Sequence, residues 1–335
     1  MLLRSNARRT GGILFGAGVL FLLFLVSNVY GYANTNWESF VEAYRHYDGS
    51  SSEHIIIREV RLPRAITAAL VGSALGLAGA IMQALTRNPM ASPGVLGVNS
   101  GAGLFVVAVV SWMPAASSFM LGWFALLGAA AAAVAVYAIG SAGLEGLTPL
   151  KLTLAGATIA ALCGSFTASL LIADEKTLES LLFWLAGSVE GRRLEHIGPI
   201  VPFLIAGFAL SSGLGRSLNL IAVGEDTAQG LGQNTLRVKL IALAAVVLMA
   251  GGSVAMAGPI GFVGLVVPHV ARRLVGVDYR FVLPCCAVLG AILLTGADIA
   301  ARFIAFPKDL PVGVMTAMIG APFFIWLARK EWGRS

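Results

Sequence analysis

Few ionisable residues sit inside or beside the apolar stretches of this sequence, and those few have chemistry to offer. Asp298 and Arg302 stand four apart near one end of an apolar run over 282–300, a spacing that puts them on one helical face where they can pair. Asp309 precedes Leu310 and Pro311, a place from which an acid either caps the following helix or binds a proton. An acid in lipid is costly and often marks an ion pathway, so the chemistry open to this set is ion pairing or cation coupling. No acid falls in the middle of an apolar run, which weakens the second choice.

Catalytic patterns are absent. No Gly-rich loop ends in Gly-Lys-Ser or Gly-Lys-Thr, so the chain is expected to carry no ATPase site and to draw its energy from elsewhere. Neither a His-Glu-x-x-His nor a Gly-x-Ser-x-Gly pattern occurs. The four histidines, His46, His54, His196 and His269, are scattered, and the three cysteines, Cys163, Cys285 and Cys286, lie in apolar runs where cysteine acts as a small hydrophobe. No metal and no cofactor is expected in this chain.

The elements that must hold these residues are membrane spans. Of 335 residues, 57% are hydrophobic and 12% charged, against about 25% charged in soluble domains. Apolar runs cover 13–29, 65–85, 95–112, 116–139, 152–172, 197–210, 238–256, 260–274, 282–300 and 312–327, or about ten spans at roughly 20 residues each. The expected fold is all-α and polytopic, a single domain over 1–335. Arg4, Arg8 and Arg9 precede the first run, which reads as a retained span because no small-residue cleavage site is evident. Gly258, Pro259, Gly261, Gly264 and Pro268 interrupt another run and predict a broken helix shielded by neighbours. Gly72, Gly76, Gly79 and Ala80 would let two helices approach closely.

The net charge of +6, from 23 Lys and Arg against 17 Asp and Glu, is explained by membrane loops and gives no reason to expect nucleic acid. One side collects most of the basic residues, among them Arg8, Arg9, Arg87, Lys151, Arg216, Arg237, Lys239, Arg272, Arg273 and Arg280, which places both termini in the cytoplasm. The other side holds a cluster of Arg45, Arg58, Arg61, Arg64, Lys176, Arg192, Arg193, Arg302 and Lys308, which the orientation rule does not produce. An outer loop over 34–60 carries Trp37, Phe40, Val41 and Tyr44 at the spacing of a short amphipathic helix. The longest inner loop, 215–235, has a core of Gly224, Glu225, Asp226, Thr227, Ala228, Gln229, Gly230, Leu231 and Gly232 that suits a short helix bounded by glycines.

Several stretches, taken together and in order, resemble the FecCD-type permeases, the membrane subunits of ABC importers for iron-siderophores, haem and vitamin B12. They are Arg61-Leu62-Pro63-Arg64; Gly79-Ala80-Ile81-Met82-Gln83 followed by Arg87-Asn88-Pro89-Met90-Ala91-Ser92-Pro93; residues 224–232; Gly258-Pro259-Ile260-Gly261-Phe262-Val263-Gly264-Leu265 with Pro268, His269 and Arg272; Asp298 to Arg302; and Leu310-Pro311-Val312-Gly313 with Gly320-Ala321-Pro322. Trp184-Leu185-Ala186-Gly187-Ser188 also fits. One departure is Asp309, where the family commonly has Glu.

The resemblance implies a type II ABC importer permease that works with a second permease subunit, the same chain or a homologue. It also implies two cytoplasmic ATPase subunits, which bind the ATP and Mg, and an extracytoplasmic binding protein. It places Arg61, Arg64 and Arg302 at an outer rim, where planar guanidinium groups would meet acids of the binding protein. It makes 224–232 a coupling helix seated in a groove of the ATPase, with Leu231 as apolar anchor and Glu225 and Asp226 favouring the helix start. The expected function is ATP-driven uptake of ferric siderophores across a prokaryotic plasma membrane. Haem and vitamin B12 fit the same pattern. A proton- or sodium-coupled carrier with Asp298 as coupling site is the alternative of another class.

Overall fold

The computed structural model describes residues 3, 5–31, 35–142, 148–174, 178, 181–182, 184–304 and 309–332. Arg4, Asn34, Lys176 and Lys308, which entered the charge and loop readings, lie outside the described residues. The helices are α1 (Asn6–Val29), α2 (Trp37–Arg45), α3 (Ser52–Thr86), α4 (Val98–Trp112), α5 (Ser118–Gly140), α6 (Pro149–Ala173), α7 (Val201–Ser212), α8 (Gly215–Val223), α9 (Glu225–Gly230), α10 (Thr235–Ala257), α11 (Val263–Val275), α12 (Tyr279–Ile304) and α13 (Val312–Trp332). Each apolar run has become a helix. Among the described residues, six helices are long and apolar enough to cross a membrane unaided, and α7 with α8 makes a further pair bent by 59°.

The starts follow local chemistry: the side chains of Ser5, Asn36, Ser117, Thr148 and Asn234 each accept a hydrogen bond from the third residue of the helix that follows. Helix α3 is the axis of the bundle and packs against α10, α11 and α12, with 78% of its apolar window buried. By contrast α1 and α6 are only 17% buried over theirs. Leu14, Phe15, Phe21, Leu154, Phe166 and Ile172 point outward, as lipid or a second subunit requires.

Glycines set the distance between α3 and its neighbours. A β-carbon on Gly76 would lie 2.5 Å from the Cys286 carbonyl oxygen, and one on Gly72 would lie 2.9 Å from Leu294 Cβ and closer still to the Gly290 carbonyl. The Ser73 hydroxyl reaches the Ala287 carbonyl at 3.0 Å between them. Where helices associate by close packing, such contacts replace the hydrophobic drive that lipid removes. Gly72→Val is therefore expected to destabilise the chain by about 1–3 kcal/mol through overpacking. Gly164→Ala on exposed α6, where nothing lies within 4 Å of the new carbon, should leave thermal unfolding in detergent unchanged; equal melting of both variants would refute the close-packing account.

The break between α10 and α11 is real. Gly258 (φ 73°) ends α10 and Phe262 (φ 65°) opens α11. The strained Phe262 is held by α13, since Gly320 leaves no room for even one more carbon beside its ring. The Ser188 N–H donates to the Ala257 carbonyl at 2.8 Å and the Gly313 N–H to the Gly187 carbonyl at 2.9 Å. Thus 184–188, the Gly258 break and the start of α13 form one junction.

A buried charge cluster and an exposed helix at opposite ends of the bundle

Arg61, Arg64, Asp298, Arg302 and Asp309 all lie at one end of α3. Arg64 Nε donates to Asp298 at 2.9 Å, and its Nη1 donates to Asp309 at 2.6 Å. Arg302 donates to the other Asp298 oxygen, to Ser27 Oγ at 2.8 Å and to the Ser27 carbonyl at 2.7 Å. Arg61 donates to the carbonyls of Val29 at 2.6 Å and Asn28 at 3.2 Å, and to Thr35 Oγ1. The cluster ties α1, α3, α12 and the segment before α13 together. A π-helical stretch over Ile56–Arg61 leads into it, an irregularity common where a helix face must be redirected.

The three arginines that the resemblance puts at an outer rim are buried within this chain. Arg61, Arg64 and Arg302 are 4%, 7% and 3% exposed, and Asp298 is fully buried. The reason is energetic: a guanidinium in a chain this apolar is tolerated only where acceptors satisfy its donors and a carboxylate balances its charge. Asp309 pairs with Arg64, a role other than the helix cap or proton site considered above. At the same end Arg58 is exposed and stacks on Tyr47, 4.6 Å from its ring centre, and Arg193 is exposed on the loop after 188.

One member of the cluster escaped sequence reading. Glu190, in the loop after Ser188, lies within electrostatic reach of the Asp309 carboxyl and of Arg64. Desolvation, then the Asp309 charge, push its pKa above the ordinary 4.5, with Arg64 opposing. A raised carboxyl favours the folded state while protonated and costs stability once ionised. Its contribution is thus present below the usual glutamate range and lost as pH rises through the folded value. Glu190→Gln should flatten the loss of thermal stability between about pH 4.5 and neutral; an unaltered pH profile would show that the pair carries no such coupling.

The other end of α3, about 37 Å away by helix rise, holds the glycine-bounded segment. The inner loop expected over 215–235 proves to be two helices. Leu214, Leu218 and Ile221 are buried at helical spacing and make α8, a periodicity that was readable in the sequence. Gly224 then turns the chain into α9, and Gly232 (φ 82°) ends the excursion. Helix α9 is anchored from one side: Ala228 is fully buried, Lys239 Nζ grips Glu225 at 2.6 and 2.8 Å, and Gln229 Nε2 donates to Thr235 at 3.0 Å. Asp226, Gly230, Leu231 and Gly232 face outward, with Leu231 67% exposed and Val223 74% exposed. Leu231 at the end of α9 and Val223 at the end of α8 are thus bare apolar side chains beside a tethered helix.

Gly258, Pro259 and Gly261 lie in the junction described above and reach neither end cluster. Gln83 lies against α11: its side-chain amide points at the Gly264 and Leu265 carbonyls, and its oxygen accepts from Arg272 at 2.5 Å. His269 packs edge-on against Phe323. Among the described residues no cluster of His, Cys, Asp and Glu suits a metal ion.

Known proteins are similar to this chain in sequence and fold. The probable siderophore transport system permease protein YfiZ of Bacillus subtilis is 51% identical over 312 residues, 93% of this chain and 93% of that one. The ferric enterobactin transport system permease protein FepD of Escherichia coli is 42% identical, with 84% of each chain covered. A solved structure assigned to the metal-chelate type of ABC transporter, in an inward-facing conformation, superposes with a TM-score of 0.83 at 26% identity over 96% of this chain and 99% of that one. The model of the FecCD transport family matches residues 19–330, so the segments that resembled it one by one lie within a continuous match, and the chain belongs to that family.

Proposed function

We propose that this chain is a membrane permease subunit of an ABC importer that takes up ferric siderophores, driven by ATP hydrolysis in partner subunits. The observation that carries the reading is the pairing of a polytopic helical fold lacking a phosphate loop with a tethered, exposed α9 on which an ATPase can act. Relatives named as siderophore, hydroxamate and citrate permeases support iron chelates as cargo. The assembly holds a second permease subunit, two ATPases below α9 and a binding protein above the arginine cluster. Both termini are cytoplasmic, on the α9 side. The exposed apolar face of α6 is the surface offered to the second permease subunit.

The buried arginines take a modified part in binding-protein docking. Arg61, Arg64 and Arg302 brace the surface on which the binding protein sits, and the exposed Arg58 and Arg193 of that end meet its acids, with rim charges steering association. Against the carrier alternative stands the pairing of both Asp298 oxygens with guanidinium groups, which balance the charge that a transported cation would have to meet.

The test is gentle affinity purification of the tagged chain from its own membrane, followed by mass spectrometry and an ATPase assay, with uptake of radiolabelled ferric siderophore measured in parallel. An ATPase and a binding protein should be recovered, and uptake should need ATP. A lone chain that transports down a proton gradient without ATP would overturn the reading.

A further inference from the structure

A crevice of about 530 Å³ opens at the bend between α7 and α8. Leu77 of α3, Phe208 of α7 and Leu283 and Ala287 of α12 line its apolar interior, and Arg216 and Arg280 stand at its mouth. Its lining is apolar inside and basic at the mouth. Gly213 sits at the bend with nothing within 4 Å of where its β-carbon would be, so a larger side chain there has room to extend, and Gly215 lies against the Arg280 backbone.

The charges at the mouth are unequal. Arg280 is held by Asp278, Nη2 to Oδ2 at 2.6 Å and Nε to Oδ1 at 3.1 Å, so that pair is neutral as a unit. Arg216 is exposed and makes no ion pair that is described among these residues. The site therefore offers one net positive charge over an apolar slot, at the level where the spans end. A phosphodiester carries one negative charge, and basic pockets between spanning helices are known takers of anionic headgroups.

We propose that this crevice binds an anionic glycerophospholipid, with one acyl chain between α3, α7 and α12 and the phosphate against Arg216. The inference rests on the membrane location of the chain and not on its cargo. The lipid would wedge the α7–α8 bend, at the start of the segment that leads into α9.

The test is native mass spectrometry of the purified full-length chain after exchange into micelles doped with phosphatidylglycerol, and separately with diacylglycerol, which has the chains but no phosphate. Phosphatidylglycerol should stay bound and diacylglycerol should not. Arg216→Gln should lower retention about tenfold, the effect of losing one charge-assisted contact, and Gly213→Phe should lower it by plugging the mouth. Unfolding curves recorded alongside confirm that both variants are folded. Retention unchanged in either folded variant, or equal retention of diacylglycerol, would overturn the proposal. Displacement of the lipid by inorganic phosphate at millimolar level would overturn it too, by showing that the mouth takes a free anion.

Discussion

Replacing Asp298 with alanine is expected to destabilise the chain by about 3–5 kcal/mol, because it strands buried charge. Asp298 is fully buried and bridges Arg64 to Arg302, two guanidinium groups that are themselves at most 7% exposed. Remove the carboxylate and Arg302 keeps only carbonyl and hydroxyl partners on α1, while Arg64 keeps Asp309 alone. The damage should spread beyond α12, since α1, α3 and the segment before α13 all meet here. Asp298→Asn, which keeps the shape and removes the charge, should fall between wild type and alanine in thermal unfolding measured by fluorescence-detected chromatography. It also separates two roles for the acid. If Asp298 only braces the fold, Asp298→Asn lowers stability and leaves the pH optimum of uptake where it was. A shifted optimum with normal melting would make Asp298 a proton site and remove the bracing role.

The helical architecture could be anticipated because each span is written as a run of apolar residues, and a run survives whatever it packs against. Glycine spacing was similarly readable: Gly72 and Gly76 have a simple steric meaning, and they meet Gly290 and Cys286 as close approaches between α3 and α12. The placement of the arginines was not readable, because burial depends on what arrives from far along the chain. Arg302 finds its acceptors near Ser27, and Arg64 finds Asp309, contacts that no local pattern announces. Glu190 was missed for the same reason, as a loop acid of no special spacing until Asp309 lies against it. Helix α8 is a different kind of miss. The periodicity of Leu214, Leu218 and Ile221 was present, but the glycines and serines around the bend, with Asn219, made the stretch read as loop.

Charging the tip of α9 should abolish uptake and leave the permease intact. In Gly230→Arg with Leu231→Glu, a β-carbon at 230 meets nothing within 4 Å and the Leu231 side chain is 67% exposed, so neither change costs the isolated chain its packing. The tethers that hold the helix, Ala228 and the Glu225 to Lys239 pair, are untouched. What the pair of changes removes is an apolar anchor at the centre of a small interface, and truncated anchors of this kind cost about 2 kcal/mol or more of binding. A charge left in the groove adds desolvation to that loss. Uptake should therefore fall at least about thirtyfold, with unchanged melting and unchanged insertion. Purification should recover less ATPase, or an ATPase whose hydrolysis no longer responds to loaded binding protein. The conservative Leu231→Met, which keeps an apolar tip of similar volume, should retain most activity and so exclude a merely structural effect. Normal uptake and normal ATPase response in the charged variant would mean that force enters elsewhere on this end, and the role of 224–232 as the coupling helix would have to be given up.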